Sequence, residues 1–442
     1  MKKTFFSILL LLILCCFVIT GCDFETKKDN SSDLKYLLAS KSEVKQLNYT
    51  KEFEGFIYKV GDFSTELTDF IYSKFNYKYD QMAISPISIY MALAMATAVS
   101  EIEVQKELEN VLGLSYEEIY EYTKYLYSVL NNEKNEENLY TKEEELAFSI
   151  QLGNSIWLDK SLSYKQSGID LLKDYFYVDS YMVPFSTANK TANKAIQDFV
   201  CRNTKGLINN NFNFDINTLF VLINTLYLKD TWNSLGKELF FTNEEYEFKN
   251  KDNSVKSLKL LNGYYFDGKV QSGDGFEYFY TETEHNVKLY FIKPTTKSLD
   301  EIYNKDNLSM ILKDKDFDEI DHELRQEYYT RCLFPEFTAS FSEDIVPVLK
   351  EEYGMSKIFR DNVSNFDKVT DHASVISGII HQTKLTVDKM GIEGAAVTCD
   401  LIGGDSGPLY EQVMLDFVVD KSFGFLVVKN GSVLFSGAVS NL

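Results

Sequence analysis

LTVDKMGIEGAAVT, residues 385–398, begins as a strand and ends as a run of small side chains. Leu385 and Val387 alternate with the polar Thr386 and Asp388, the two-residue period of a half-buried strand. After Gly391 come Gly394, Ala395 and Ala396. Just beyond lies Gly403-Gly404-Asp405-Ser406-Gly407-Pro408, small, polar and glycine-rich. Such a string stays extended, exposed and easy to cut. A strand that runs through small residues into a cleavable loop has to be explained by the rest of the chain.

The chain has 442 residues, 45% of them hydrophobic and 14% aromatic, enough for a sizeable core. From about residue 51 onward no Ser/Gly/Pro-rich seam divides it and no repeat emerges, which points to one large domain. A formal net charge of −21 argues against nucleic-acid or heparin-like partners, since polyanions bind clustered Lys and Arg. His285, His322, His372 and His381 form no metal-binding pattern, and Cys201, Cys332 and Cys399 form no CxxC. No cofactor or metal is expected, and these cysteines read as free thiols.

The first residues read as a targeting segment. Lys2-Lys3 precede an apolar run from Phe5 to Val18, short for a membrane span and right for a signal-peptide core. Ile19-Thr20-Gly21-Cys22 resembles the lipobox of bacterial lipoproteins, which implies lipidation of Cys22. An ordinary signal peptide whose core contains Cys15 and Cys16 is the alternative. The expected division is a signal peptide over 1–21, a flexible polar tether over 22–50, and one domain over 51–442. Export to the cell surface or the outer membrane face, with a lipid anchor in the membrane, follows from that reading.

Helical spacing comes first, in Phe63, Leu67, Phe70 and Ile71 and again after Ser85-Pro86, a helix start. The acidic stretch 131–147 reads as a solvated loop or exposed helix. Strand-like runs follow at 218–228, 287–292, 375–387, 413–419 and 423–428. The last leads through Asn430-Gly431, a hairpin signal, to 433–435. The chain is α+β, helix-rich first and strand-rich last.

Gly404-Asp405-Ser406-Gly407-Pro408 resembles the nucleophile loop of trypsin-like proteases, one glycine short. That chemistry needs a histidine in reach of the serine and an acid behind it. No Ala-Ala-His-Cys context exists here, and the chain is not an all-β double barrel. It is not read as an enzyme.

A different resemblance covers the chain from about residue 60 to its end. Residues 391–398 are similar to the hinge of serpins, the serine protease inhibitor superfamily. Ala83-Ile84-Ser85-Pro86-Ile87-Ser88-Ile89, Ile196-Gln197-Asp198-Phe199-Val200 with Thr204, Gly206 and Ile208, Val221-Leu222-Ile223-Asn224 through Tyr227, Lys229 and Trp232, Phe334-Pro335-Glu336-Phe337, Phe417, Phe423 and Phe435-Ser436-Gly437 resemble further serpin motifs, in the family's order. The resemblance implies a serpin fold: a large central β-sheet, two smaller sheets, about nine helices and an exposed reactive loop. It also implies a monomer that acts as bait. A protease attacks the loop, forms an acyl-enzyme, and is trapped when the cut loop enters the central sheet as a new strand.

Insertion is a known case of β-strand addition. About a dozen new backbone hydrogen bonds, at roughly 0.5–1.5 kcal/mol each, supply on the order of 10 kcal/mol. Alternation from Gly391 would point Ile392, Gly394, Ala396 and Thr398 inward and Glu393, Ala395 and Val397 outward. Asp400 would also point inward, and Gly394 stands where alanine is usual; both weigh against efficient insertion. By resemblance, sheet opening is controlled by a polar cluster of Ser85, Ser88, Asn224 and His381, and by contacts at the top of the sheet near Trp232. There the family pairs an acid with a lysine. Here Lys389 and Glu336 stand in the opposite order, and a swapped salt bridge is expected.

Counting from the hinge glycine places the reactive bond at Asp405–Ser406, with Leu401–Ile402, Leu409–Tyr410 and Tyr410–Glu411 as second choices. No Lys or Arg occurs between Met390 and Asp420, so trypsin-like targets are not expected. The expected partner is an endopeptidase of the serine or the cysteine class. The alternative is a non-inhibitory serpin-fold binding protein.

Overall fold

A computed structural model describes residues 32–45, 47, 51–130, 148–232, 238–313, 320–321, 326–360, 363–374, 379–393 and 411–442. The described residues hold nine α-helices and three main sheets of seven, six and four strands, beside a small two-stranded hairpin. This is the expected α+β layout.

Local chemistry sets the boundaries. Ser85 caps the helix Pro86–Val99, its side chain accepting from the Ser88 amide, with proline at the first turn. That helix is apolar on all sides and buried nearly throughout, so it runs through the core rather than along the surface. Glu101 caps the next helix, Ile102–Leu112, and Gly113 ends it in a left-handed turn (φ 68°). Asn430 and Gly431, both at positive φ, close the hairpin between Phe423–Lys429 and Ser432–Val439, as the sequence signal predicts.

The seven-stranded sheet runs in the order Leu37–Ala39, Val178–Val183, Ser149–Asp159, Phe220–Thr231, Gly391–Ile392, Ile380–Val387, Phe337–Asp344. One face rests on the main core. Over the other face lies the helix Phe185–Asn203. Phe199 on that helix meets Trp157 and Tyr181 edge-on, at ring distances of 5.6 and 5.7 Å, and these two rings stack on each other at 4.1 Å. Val221 and Ile223 of the Phe220–Thr231 strand pack against the same cluster.

Both rims of this sheet are occupied. On one side Leu37–Ala39 pairs with Val178–Val183. On the other, the amides of Thr338 and Ser342 donate to the Gln81 side chain (2.9 Å) and the Tyr79 hydroxyl (3.1 Å).

The first rim corrects an expectation. The stretch 22–50 reads as a flexible tether, but Ser32–Tyr36 forms a short 3-10 helix and Leu37–Ala39 a strand, both docked on the domain. The reason is polar as much as apolar. The fully buried Asp33 pairs with Arg202, and the Lys41 amide donates to Asp179 at 2.9 Å.

Replacing Phe199 by alanine should remove an aromatic wedge from a dry cluster and cost about 3–5 kcal/mol. A urea midpoint unchanged from wild type would show that the helix is not held by this ring.

Candidate functional site

The site is the place where the hinge meets the sheet. After the strand Ile380–Val387 the chain turns through Asp388, whose carboxylate accepts from the amides of Met390 (2.8 Å) and Gly391 (3.2 Å). Gly391–Ile392 then enters antiparallel to both neighbours. Ile392 registers with Val387 on one side and Asp230 on the other, and Gly391 with Thr231. Gly391 must be glycine, because a Cβ there would lie 2.1 Å from the Asp230 carbonyl. Ile392 is fully buried in the main core. The following residue, Glu393, lies outside the strand, with its backbone at φ 38°.

Below this point, among the described residues, the two long flanking strands meet only through Gly391–Ile392. Between them opens a cavity of about 540 Å³, lined by Asn224 and Leu226 on one bank, His381 and Thr383 on the other, and Ser85 and Ser88 beneath. Val221 and Ile223, from the outer face of the sheet, line it too. The cavity therefore runs through the sheet as a slot.

The polar cluster expected under the sheet is divided by that slot. The Ser85 amide donates to His381 Nε2 at 3.0 Å, and Ser85 Oγ donates to Ser88 Oγ at 2.9 Å. An accepting Nε2 leaves the ring proton on Nδ1. Burial pushes the imidazole pKa down to about 3, so the ring is neutral. Asn224 does not join this group. Its amide donates to Asn154 Oδ1 at 2.7 Å, while its own buried Oδ1 has no hydrogen-bond partner among the described residues. The expected four-residue lock is three residues on one bank and one on the other, because the two strands stand apart.

At the top of the slot Trp232 donates from Nε1 to the Asp388 carbonyl at 2.6 Å and meets Phe334 edge-on. The swapped salt bridge takes another form. The Lys389 ammonium pairs with Glu238 at 2.7 Å, and the Glu336 carboxylate accepts the Lys389 amide at 3.0 Å. Glu336 still holds the hinge turn, through the backbone rather than through charge pairing.

Sequence reasoning missed Asp230. Its carboxylate is buried and accepts from the Thr283 hydroxyl (2.6 Å), the Thr231 amide (2.8 Å) and the His285 amide (3.3 Å), with His285 Nδ1 at 2.8 Å. His285 stacks on Phe148 at 4.3 Å. A charged residue in alternation with the core-facing Leu226 and Leu228 was the available signal, since a buried charge needs partners.

The family model for serpins, serine protease inhibitors, matches residues 59–442. The chain is a serpin. An uncharacterized serpin-like protein of Methanosarcina acetivorans is 22% identical, over 87% of this chain and 86% of its own length. Human neuroserpin is 24% identical over 81% of this chain and 86% of its own, and sheep corticosteroid-binding globulin 23% over 76% and 75%. Among solved structures, the thermophilic serpin tengpin in its native state superposes with a TM-score of 0.70 at 21% identity, covering 91% of this chain and 98% of its own. Human thyroxine-binding globulin in complex with thyroxine gives 0.66 at 19%, covering 87% and 99%.

The serpin family is one of protease inhibitors rather than enzymes. Of the expected hinge residues, Gly391, Ile392 and Glu393 are described, the first two as a strand. Gly394, Ala395, Ala396, Val397 and Thr398, the reactive bond Asp405–Ser406, and Cys22 lie outside the described residues. So do Cys399 and His322. Cys201 and Cys332 are free thiols, and no helix among the described residues is long and apolar enough to cross a membrane.

Two outcomes follow. His381 binds a proton in the unfolded chain near pH 6.5 but not in the native one until about pH 3. Its contribution is therefore complete above pH 6.5 and is lost on acidification, by about 1.4 kcal/mol per pH unit. Urea midpoints of wild type and His381→Gln between pH 7.5 and 4.5 should differ by this slope; parallel profiles would show otherwise. Asp230→Ala removes the acceptor shared by three donors and the His285 ring, and should cost about 3–5 kcal/mol. A melting temperature equal to wild type would remove Asp230 from the hinge's support.

Proposed function

We propose that this serpin is a suicide inhibitor of endopeptidases. A protease cuts the loop near Asp405–Ser406, and the acyl-enzyme is trapped as residues 391–404 fill the slot in the central sheet. One observation carries this reading: among the described residues the hinge lies between the two flanking strands through Gly391–Ile392, at the head of a 540 Å³ slot. The flanking strand Phe220–Thr231 has twelve residues, about 40 Å of ladder at ~3.4 Å per residue. The small residues Gly394, Ala395 and Ala396 suit passage beneath the helix Phe185–Asn203.

The loop's lack of Lys and Arg favours targets of the serine or cysteine class other than trypsin-like ones. The lipobox-like Ile19-Thr20-Gly21-Cys22 favours a monomer exported to the cell surface or outer membrane face and anchored through lipid on Cys22. Residues 1–21 would be removed as a signal peptide.

A non-inhibitory binding role is the second reading. Asp400 favours it, since by alternation a carboxylate would have to enter the sheet. Corticosteroid-binding globulin stands among the relatives at an identity similar to that of neuroserpin.

The test is incubation of the soluble domain with a panel of serine and cysteine endopeptidases, followed by denaturing gels. Wild type is expected to give a complex that survives boiling. Ile392→Glu, which places a charge on the fully buried face, is expected to be cleaved without complex. Cleavage of wild type without complex across the panel would favour the second reading.

A further inference from the structure

The polar cluster at the slot is unfinished on one bank. Asn154 donates from its amide nitrogen to the Phe176 carbonyl at 2.8 Å, which leaves its Oδ1 to accept from Asn224. Asn224 donates there with its own amide nitrogen at 2.7 Å, so its Oδ1 is the arm that diverges from Asn154. That oxygen is buried, has no hydrogen-bond partner among the described residues, and belongs to a side chain that lines the slot. A buried acceptor without a donor is costly and calls for an explanation.

The register of the hinge supplies one. Ile392 stands opposite Asp230 on one side and Val387 on the other, antiparallel to both. Neither flanking strand shifts register against its outer neighbour. Six residues on from Ile392 is Thr398; six back from Asp230 is Asn224, and six back from Val387 is His381. An inserted Thr398 therefore lands between Asn224 and His381. The faces agree as well. Leu226, Leu228, Leu385, Val387 and Ile392 all pack in the main core, and Asn224, His381 and Thr398 share their alternation. Directly opposed side chains of an antiparallel pair stand about 4.5–5.5 Å apart at Cβ, within reach of a hydroxyl and an amide. The other inward positions, Ile392, Gly394 and Ala396, carry no polar side chain, so Thr398 is the first that can donate.

We infer that Thr398 completes the divided cluster: on insertion its hydroxyl donates to Asn224 Oδ1 and joins the two banks. The inference rests on the insertion reading above and names the side chain that the middle of the slot takes. A hydroxyl accepts as well as donates, so the same oxygen offers a partner to the proton on His381 Nδ1. Because Asn224 Oδ1 is unpaired before insertion, the bond belongs to the cut state alone. Thr398→Val keeps the shape and removes the hydroxyl. If the position were merely apolar, valine would raise the stability of the inserted form; if it completes the cluster, valine lowers it.

The experiment compares wild type and Thr398→Val, each before and after an endopeptidase has cut within residues 401–410. Melting temperatures are read in guanidinium, at a fixed concentration that brings the cut form into range. The uncut chains should melt together. Cutting should raise the melting temperature of both, with cut Thr398→Val about 2–4 °C below cut wild type. In an Asn224→Ala background that difference should vanish. Cut Thr398→Val melting at or above cut wild type, or a difference that persists without Asn224, overturns the Thr398 assignment and leaves insertion standing. No gain on cutting in either chain overturns insertion and the assignment together.

Discussion

Among the described residues, the inner edges of two long strands, Phe220–Thr231 and Ile380–Val387, face each other and share only Gly391–Ile392. Backbone amides and carbonyls along a strand demand partners, and a buried one left without costs about as much as a lost hydrogen bond. The rest of the molecule is arranged around that demand. Ser85, Ser88 and His381 are satisfied on one bank, Asn224 turns away to Asn154 on the other, and the hinge turn is pinned from above by Trp232, Glu336 and Asp388.

Much of this was legible in the chain itself. Ser85-Pro86 announced a capped helix, Asn430-Gly431 a tight hairpin, and the alternation up to Val387 a strand; each is a local rule that tertiary context did not override. Gly391 was marked by resemblance to the hinge glycine, and the 2.1 Å approach of the Asp230 carbonyl to a Cβ there gives the physical reason for a glycine. The fold class followed from the order of many weak motifs rather than from any one of them.

What was not legible depends on partners far apart in the chain. Lys389 and Glu336 suggested each other by position, but Glu238 lies nearer the ammonium, and no local signal marks it. Asp230 drew no notice, because its partners Thr283 and His285 come from a turn between two strands of another sheet. Residues 32–42 are too polar to announce burial; only Arg202 and Asp179, more than a hundred positions later, make sense of Asp33 and Lys41. Paired charges hide from composition because each looks solvated alone.

The rims of the seven-stranded sheet have a consequence for its behaviour in company. An open ladder recruits any extended chain that passes, and long bare edges are where proteins stick to copies of themselves. Here the outer rims offer little to join: one ends in a strand of three residues, and the other has two of its outward amides already plugged by Gln81 and Tyr79. On the proposed insertion reading, the receptive edges lie in the interior of the sheet, where the chain's own hinge, tethered at the mouth, has the advantage of proximity over any stranger.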